Sequence, residues 1–316
     1  MFQSHPTALV ALPLNQAQKE RFLQAAPQVS FTFKDPGEVV ASDLEDAEIL
    51  IGRISPAFCP RAVKARWFQA QAAGPDSYLK PGVLPSQVVL TSAVGAYGQA
   101  VSEHLLAMTL CLMKRLHTYR DSQYLHLWES QGQVSSLRGA TVLVIGLGDI
   151  GDSYARLCAA LGARVLGVRR TRTEVPDHMA GIFNPDHLDQ VLPQADVVCL
   201  CLPHSSQTAG LMNADRLAKM KPGAILLNGG RGSAIQTDAL IPLLESGHLK
   251  GVGLDVTDPE PLPPDHPLWD MPGALITPHV SGFFHLPQTL DHLIYLALDN
   301  LDRYLSGKPL RNVMTR

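Results

Sequence analysis

The stretch Val142-Leu-Val-Ile-Gly-Leu-Gly-Asp-Ile-Gly151 constrains this chain more than any other. Apolar, mostly β-branched residues from Val142 to Ile145 have the make-up of a buried strand, and Gly146, Gly148 and Gly151 follow in G-x-G-x-x-G spacing. An amphipathic helix is expected next, with Ile150, Tyr154, Leu157, Cys158 and Leu161 on one face and Gly162 at the C-cap. In that order the glycines have separate tasks. The first permits a tight turn, the second lets backbone approach a pyrophosphate, and the third lets helix pack close on strand. The helix N-terminus adds free N–H groups and partial positive charge. Gly146, Gly148, Asp149, Ile150 and Gly151 are therefore the expected dinucleotide-binding residues. G-x-G-x-x-G alone is weak evidence; between strand and helix it is much stronger.

The 316 residues suggest about two domains. With 46% hydrophobic and 17% charged residues and a net charge of −3, nothing points to nucleic acid or an anionic membrane surface. The longest apolar run, Leu105 to Met113, is too short to span a bilayer. The chain opens without a basic-then-apolar leader. Its five cysteines include no C-x-x-C pair, and Cys199 and Cys201 alternate with leucines on one strand face. That pattern fits reduced core cysteines in a cytoplasmic protein, not metal ligands or disulfides.

Ahead of the glycine loop, strand candidates Thr7–Leu14, Val29–Phe33, Glu48–Gly52, Trp67–Ala70 and Val88–Thr91 alternate with helical segments. Asn15 and Gln18 resemble a capping box opening a helix to about Ala26. One long helix is expected from about Gln99 to Tyr119, serving either as a core helix or as a dimer surface. After the loop come Arg164–Val168, Val197–Leu202, Ala224–Asn228, Val252–Val256 and Ala274–Thr277, each short and bounded by Gly, Pro or Asp. This rhythm predicts an α/β fold of doubly wound parallel sheets covered on both faces. A final helix is expected from Leu286 to Leu305, ended by Gly307.

The tip of the strand after the glycine loop normally selects the nucleotide, through an acid that accepts hydrogen bonds from the adenosine ribose of NAD. Here Arg169-Arg170-Thr171-Arg172 stands in its place. Guanidiniums and a hydroxyl suit a 2′-phosphate, so NADP(H) is expected to be preferred, with NAD(H) still possible. The bland alternative is a solvated basic loop. Three further strand ends carry ionisable residues: Arg231 in Asn228-Gly-Gly-Arg-Gly232, Glu260 in the Pro-rich segment after Asp255, and His279 in Thr277-Pro-His279. In an open parallel sheet such ends face one crevice. A guanidinium can clamp a carboxylate and polarise a carbonyl; a histidine beside a glutamate can donate a proton to a forming alkoxide. Singly, each residue could merely brace a loop.

With these residues in view the sequence resembles the D-isomer-specific 2-hydroxyacid dehydrogenases, over nearly its full length. The matching segments are the glycine loop, Cys201-Leu-Pro203 with Thr208, Met220-Lys-Pro-Gly-Ala224, Gly229-Gly-Arg-Gly232, Leu254-Asp-Val256, Glu260-Pro-Leu-Pro263, His266-Pro-Leu-Trp269 and Thr277-Pro-His279. Arg66 to Asp76 is similar to the family's substrate-carboxylate loop, and Val101-Ser-Glu-His104 to the start of its interdomain helix. The resemblance implies two Rossmann-like lobes with a cleft between them: a flavodoxin-like substrate domain of residues 1–97 plus 285–316, and a dinucleotide-binding domain of residues 98–284. It also implies hinge closure and a homodimer. It makes Arg231, Glu260 and His279 the catalytic triad, with Glu260 raising the pKa of His279. Asp255, Gly229, Gly230 and Val101 fall near the nicotinamide, Leu202, Pro203 and Thr208 along the ribose and phosphates, and Gly282 is a further cofactor-binding residue. Ala73 and Gly74, with Arg231 and His279, are assigned to the substrate.

The sequence departs from the family pattern at Pro75, where a valine is common and where proline removes a backbone donor. Phe283 and Phe284 are bulkier than usual, and either narrow the pocket or pack the next helix. Glu260 argues against the formate dehydrogenase branch, which has glutamine there. The leading expectation is reduction of a small 2-oxo acid, such as glyoxylate or hydroxypyruvate, by NADPH. The alternatives are an NAD(P)-sensing binding protein with little turnover, and a dehydrogenase for a larger or phosphorylated acid, for which Arg53 is a candidate.

Overall fold

Runs of Val, Ile and Leu too short for helices become the strands of two parallel sheets. The computed structural model describes residues 5–171 and 174–315, so Arg172 of the basic loop lies outside the described residues. The chain divides into two compact units, Met1–Tyr97 with Leu286–Arg316, and Gly98–His285.

In the first unit β1 (Thr7–Ala11), α1 (Gln16–Ala25), β2 (Ser30–Lys34), β3 (Ile49–Gly52), β4 (Trp67–Ala70) and β5 (Val89–Thr91) build a sheet of order β2-β1-β3-β4-β5. Asn15 caps α1 in a capping box with Gln18, as its spacing predicts. Leu9, Leu50, Phe68 and Leu90, from neighbouring strands, share one core with Leu44 and Tyr78. The closing helix, here α8 (Pro287–Leu305), belongs to this unit: Tyr304 donates to Glu48 (2.7 Å) and stacks on Trp67, with ring centroids 5.6 Å apart.

The second unit opens with α2 (Gly98–Lys114) and α3 (Leu116–Tyr124). A single helix to Tyr119 is expected from the sequence; instead Arg115 takes a left-handed conformation (φ 58°) and breaks it. No glycine or proline marks the break, so the hydrophobic spacing runs through it unchanged. The face of α2 that carries Val101, Leu105, Met108 and Leu112 is buried.

Then follow β6 (Thr141–Ile145), α4 (Asp149–Ala160), β7 (Arg164–Val168), β8 (Gly181–Phe183), α5 (Leu188–Val191), β9 (Val197–Leu200), α6 (Ala214–Ala218), β10 (Ala224–Asn228), α7 (Ile241–Glu245), β11 (Leu249–Leu254) and β12 (Ala274–Ile276). They form one sheet of order β12-β11-β10-β9-β6-β7-β8, parallel at every pairing. Strand order runs outward in opposite directions from β6 and β9, and a parallel sheet opens a crevice at such a switch point. β8, a half-buried edge strand of three residues, was too short to show in the sequence pattern. Among the described residues no helix is long and apolar enough to cross a membrane, and no group of His, Cys, Asp and Glu could hold a metal ion.

Candidate active site

All the parallel strands of the larger sheet end at one edge, and most of the residues singled out in the sequence lie at or just past those ends. Gly146 follows β6 with φ +99°, which a side chain rarely adopts. Gly151, in the first turn of α4, sits so close to β6 that an added Cβ would stand 1.9 Å from the Gly146 carbonyl oxygen. Above Gly148, by contrast, an added Cβ would meet nothing, so the backbone lies open to a ligand. A pocket of about 380 Å³ begins here, lined by Gly148, Asp149, Asp152 and, from the tip of β7, Arg169. No acid stands directly after Val168, where Arg169, Arg170 and Thr171 follow. Asp152 on the pocket wall is engaged by Arg156 (2.8 Å) and His178 (2.9 Å). Arg170 reaches across to Gln207 (3.4 Å), and Thr171 is exposed beside it.

Beyond β9, Leu202, Pro203 and Thr208 lie on a loop that closes on itself, with the Thr208 hydroxyl donating to the Pro203 carbonyl (2.7 Å). His204 on this loop meets Ser233 (2.9 Å), tying the loops after β9 and β10 together. At the end of β10, Asn228 is fully buried; its Oδ1 accepts from Gly230 N–H (3.0 Å) and its Nδ2 donates to the Arg231 carbonyl (3.0 Å). The Gly229-Gly230-Arg231 turn is thereby held by one amide. The half-buried Arg231 guanidinium donates to the Gly230 carbonyl (3.0 Å).

His279 and Glu260 meet at 2.6 Å, through Nδ1 and Oε1, with side chains 47% and 44% exposed. The pair is held from below by Asp255, whose side chain is 1% exposed. Its carboxylate accepts from the Thr277 hydroxyl (2.6 Å), Val280 N–H (3.0 Å), Ser281 N–H (3.2 Å) and the Ser281 hydroxyl. The His279 N–H in turn donates to the Asp255 carbonyl (2.8 Å), and His279 is left-handed at φ 52°. One buried acid thus wraps the segment from Thr277 to Ser281 around itself and turns the imidazole out. From α2, His104 reaches Thr277 (Nε2 to Oγ1, 3.0 Å). Gly282 closes the segment half-buried, and Val101 is 4% exposed.

Asn228, Thr277, Ser281 and His104 were not singled out by sequence reasoning. For Asn228 and Thr277 the signal is a polar residue at the end of an apolar run, which marks a buried hydrogen-bonding task as readily as a turn. Ala73 and Gly74 belong to the other unit, in the half-buried turn after β4. There Tyr97 donates to the Gln71 carbonyl (2.6 Å), Ala93 N–H donates to the Ala72 carbonyl (3.0 Å), and Pro75 is buried. Phe283 is 46% exposed, its ring centroid 5.8 Å from that of His285.

Residues 106–281 match the family described as D-isomer specific 2-hydroxyacid dehydrogenase, NAD binding domain. The chain belongs to this family. A glyoxylate/hydroxypyruvate reductase B of Pectobacterium carotovorum is 31% identical over 83% of this chain and 82% of its own. A family protein of Aeromonas salmonicida, known from its crystal structure, superposes with a TM-score of 0.86 at 34% identity, covering 99% of both chains. An NADPH-dependent glyoxylate/hydroxypyruvate reductase of Sinorhizobium meliloti, solved with NADP and sulfate, gives 0.82 at 26% identity over 98% of both. The doubly wound α/β fold is that of the family, and its nicotinamide-dinucleotide chemistry makes this dehydrogenase an oxidoreductase.

Proposed function

We propose that this dehydrogenase is an NADPH-dependent reductase of small 2-oxo acids, glyoxylate or hydroxypyruvate among them, yielding the D-2-hydroxy acid. The observation that carries the reading is the His279–Glu260 pair on the same sheet edge as Arg231 and the open glycine loop. From β7 to β10 is three strand spacings, about 14 Å, a length suited to a dinucleotide lying with its adenosine at Arg169 and its nicotinamide near Gly229, Gly230 and Asp255. Leu202, Pro203 and Thr208, on the loop after β9, lie between these ends, and Val101 of α2 is assigned to the second. When bound, the cofactor supplies the hydride. The reductases of Pectobacterium and Sinorhizobium support the substrate class and favour a working enzyme over a sensing protein.

The protein's own groups supply the rest. With Nδ1 turned to Glu260, the Nε2 of His279 is left to give its proton to the oxygen of the reduced carbonyl. Glu260 holds the imidazole in that orientation and balances its charge in the donor state. Arg231 grips the substrate carboxylate and polarises the adjacent carbonyl, a task suited to a planar fork of donors.

Arg169 and Arg170 carry the preference for NADP(H) over NAD(H), with the Thr171 hydroxyl beside them. The exposed side chains of Tyr124, Leu125, Leu127 and Trp128 support assembly as a homodimer, with sedimentation velocity as its test. The catalytic reading is tested by following NADPH and NADH oxidation with glyoxylate, hydroxypyruvate, pyruvate and bulkier 2-oxo acids. Faster turnover with NADPH on a small acid is expected, and Arg169→Ala is expected to raise the KM for NADPH about tenfold or more without changing that for NADH. A preference for NADH would overturn the role given to Arg169, and tight NADPH binding without turnover on any acid would overturn the reductase.

A further inference from the structure

At the opposite edge of the same sheet, where the strands begin, lies a second and larger pocket of about 640 Å³. Its walls include Arg115, Glu245 and Lys250, with Gly223, Gly247 and Gly273 leaving the floor low. Both cations reach it through departures from regular backbone. Arg115 is the left-handed residue that breaks α2 from α3. Lys250 is the extra residue of a bulge in β11: Ala224 pairs with Leu249 and Ile225 with Gly251, which leaves Lys250 without a partner in β10. A bulge re-aims a side chain, and a left-handed arginine costs about 1 kcal/mol that a leucine-rich helix has no evident need to spend.

The charges gathered here are poorly compensated. The buried Nε of Arg115 has no hydrogen-bond partner among the described residues, and neither has the buried Nε2 of His248, between Gly247 and Leu249. The Lys250 ammonium donates to the Ser135 hydroxyl (2.9 Å). Its pKa is pushed down, first by burial and then by the positive charges of Arg115 and Lys114. Glu245 is the only acid on the wall, and it pairs with neither cation within 4 Å. Two lining cations, with the positive charge of Lys114 acting on Lys250 from outside the wall, face one carboxylate and leave room for an anionic ligand. A buried guanidinium N–H without an acceptor is costly, and an anion filling the pocket would relieve that cost along with the repulsion around Lys250.

We propose that this pocket is an effector site for a small dianion of the phosphate monoester class, held by Arg115 and Lys250 at the sheet edge remote from the cofactor crevice. The guanidinium and ammonium take the phosphate oxygens, and the glycine floor admits the rest of the molecule. α2 links this site to the catalytic one: Arg115 follows its last turn, and His104, about 16 Å back along the axis, bonds Thr277.

Inorganic phosphate is the probe, titrated calorimetrically into the whole protein and into Lys250→Met, Arg115→Asn and Arg169→Gln variants. Asparagine tolerates the left-handed backbone, and thermal unfolding without phosphate shows that each variant is folded. The wild type and Arg169→Gln are expected to bind phosphate alike. Lys250→Met and Arg115→Asn should each bind roughly tenfold more weakly or worse, the loss of one charge-assisted contact. Lys250→Arg should retain binding. No phosphate binding by the wild type, or binding that Arg169→Gln removes and Lys250→Met leaves intact, would overturn the proposal.

Discussion

Each unit buries a polar network, and the two networks have opposite outlets. In the first unit Gln69, fully buried, donates to the carbonyls of Ala70 and Ser92 and accepts from Thr91 and from Asn300 of α8. Asn300 in turn takes both backbone groups of Arg311, and Trp67 donates to Thr91. Every member is neutral, every outlet is main chain, and the network fastens the C-terminal helix and tail to the sheet. In the second unit the hub is the carboxyl group of Asp255, its donors come from one short segment, and the outlet is the half-exposed His279–Glu260 pair. A closed amide network holds chain to chain, whereas a buried acid with one open side aims a reactive group.

That contrast can be broken in each network in turn. The largest effect is expected for Asp255→Asn. Its amide would set donors against the N–H groups of Val280 and Ser281, loosening the segment that carries His279. kcat/KM should fall about a hundredfold, within the range set by losing a positioned general acid, while unfolding in urea shows a destabilisation of about 2–3 kcal/mol. Gln69→Leu should cost stability of similar size, about 2–3 kcal/mol, by stranding the Asn300 amide and the Ser92 carbonyl. Its NADPH dissociation constant should stay within about twofold, because the altered network touches no residue of the cofactor crevice. If the two variants lost cofactor affinity alike, the division of labour between the networks would be wrong.

The smallest effect sharpens the comparison without changing a residue of either network. Each core holds a buried thiol: burial pushes the Cys59 thiol up to about 11 and the Cys158 thiol up to about 12. At pH 8 both are protonated and enclosed, so an alkylating reagent should leave them unmodified in the folded protein and reach them only as each unit opens. Mass spectrometry of labelling against urea concentration then reads the two units separately. Rapid labelling of either thiol in the native protein would contradict the packing described.

Much of this was legible in the sequence, and unevenly so. The parallel sheets, the glycine loop and the strand ends that carry Arg231, Glu260 and His279 follow from apolar runs, turn residues and spacing, which are local signals. Family membership followed from the motifs that the same strand ends carry. What escaped is what tertiary contacts decide. The break at Arg115 interrupts a helical pattern with no residue that favours one, and β8 is three half-buried residues. The bulge at Lys250 depends on the register of β10, which no property of β11 reveals. Asn228 and Thr277 could be seen only as polar ends of apolar strands, and their partners lie across turns or in a different helix.

The most direct test of the account is the reduction of hydroxypyruvate by NADPH in wild type and in His279→Asn, with the NADPH dissociation constant measured for both by fluorescence. If His279 is the proton donor, kcat should fall by about 10² to 10⁴ while NADPH binding stays within about twofold. A His279→Asn variant that turns over near the wild-type rate, or that fails only because it no longer binds NADPH, would contradict it.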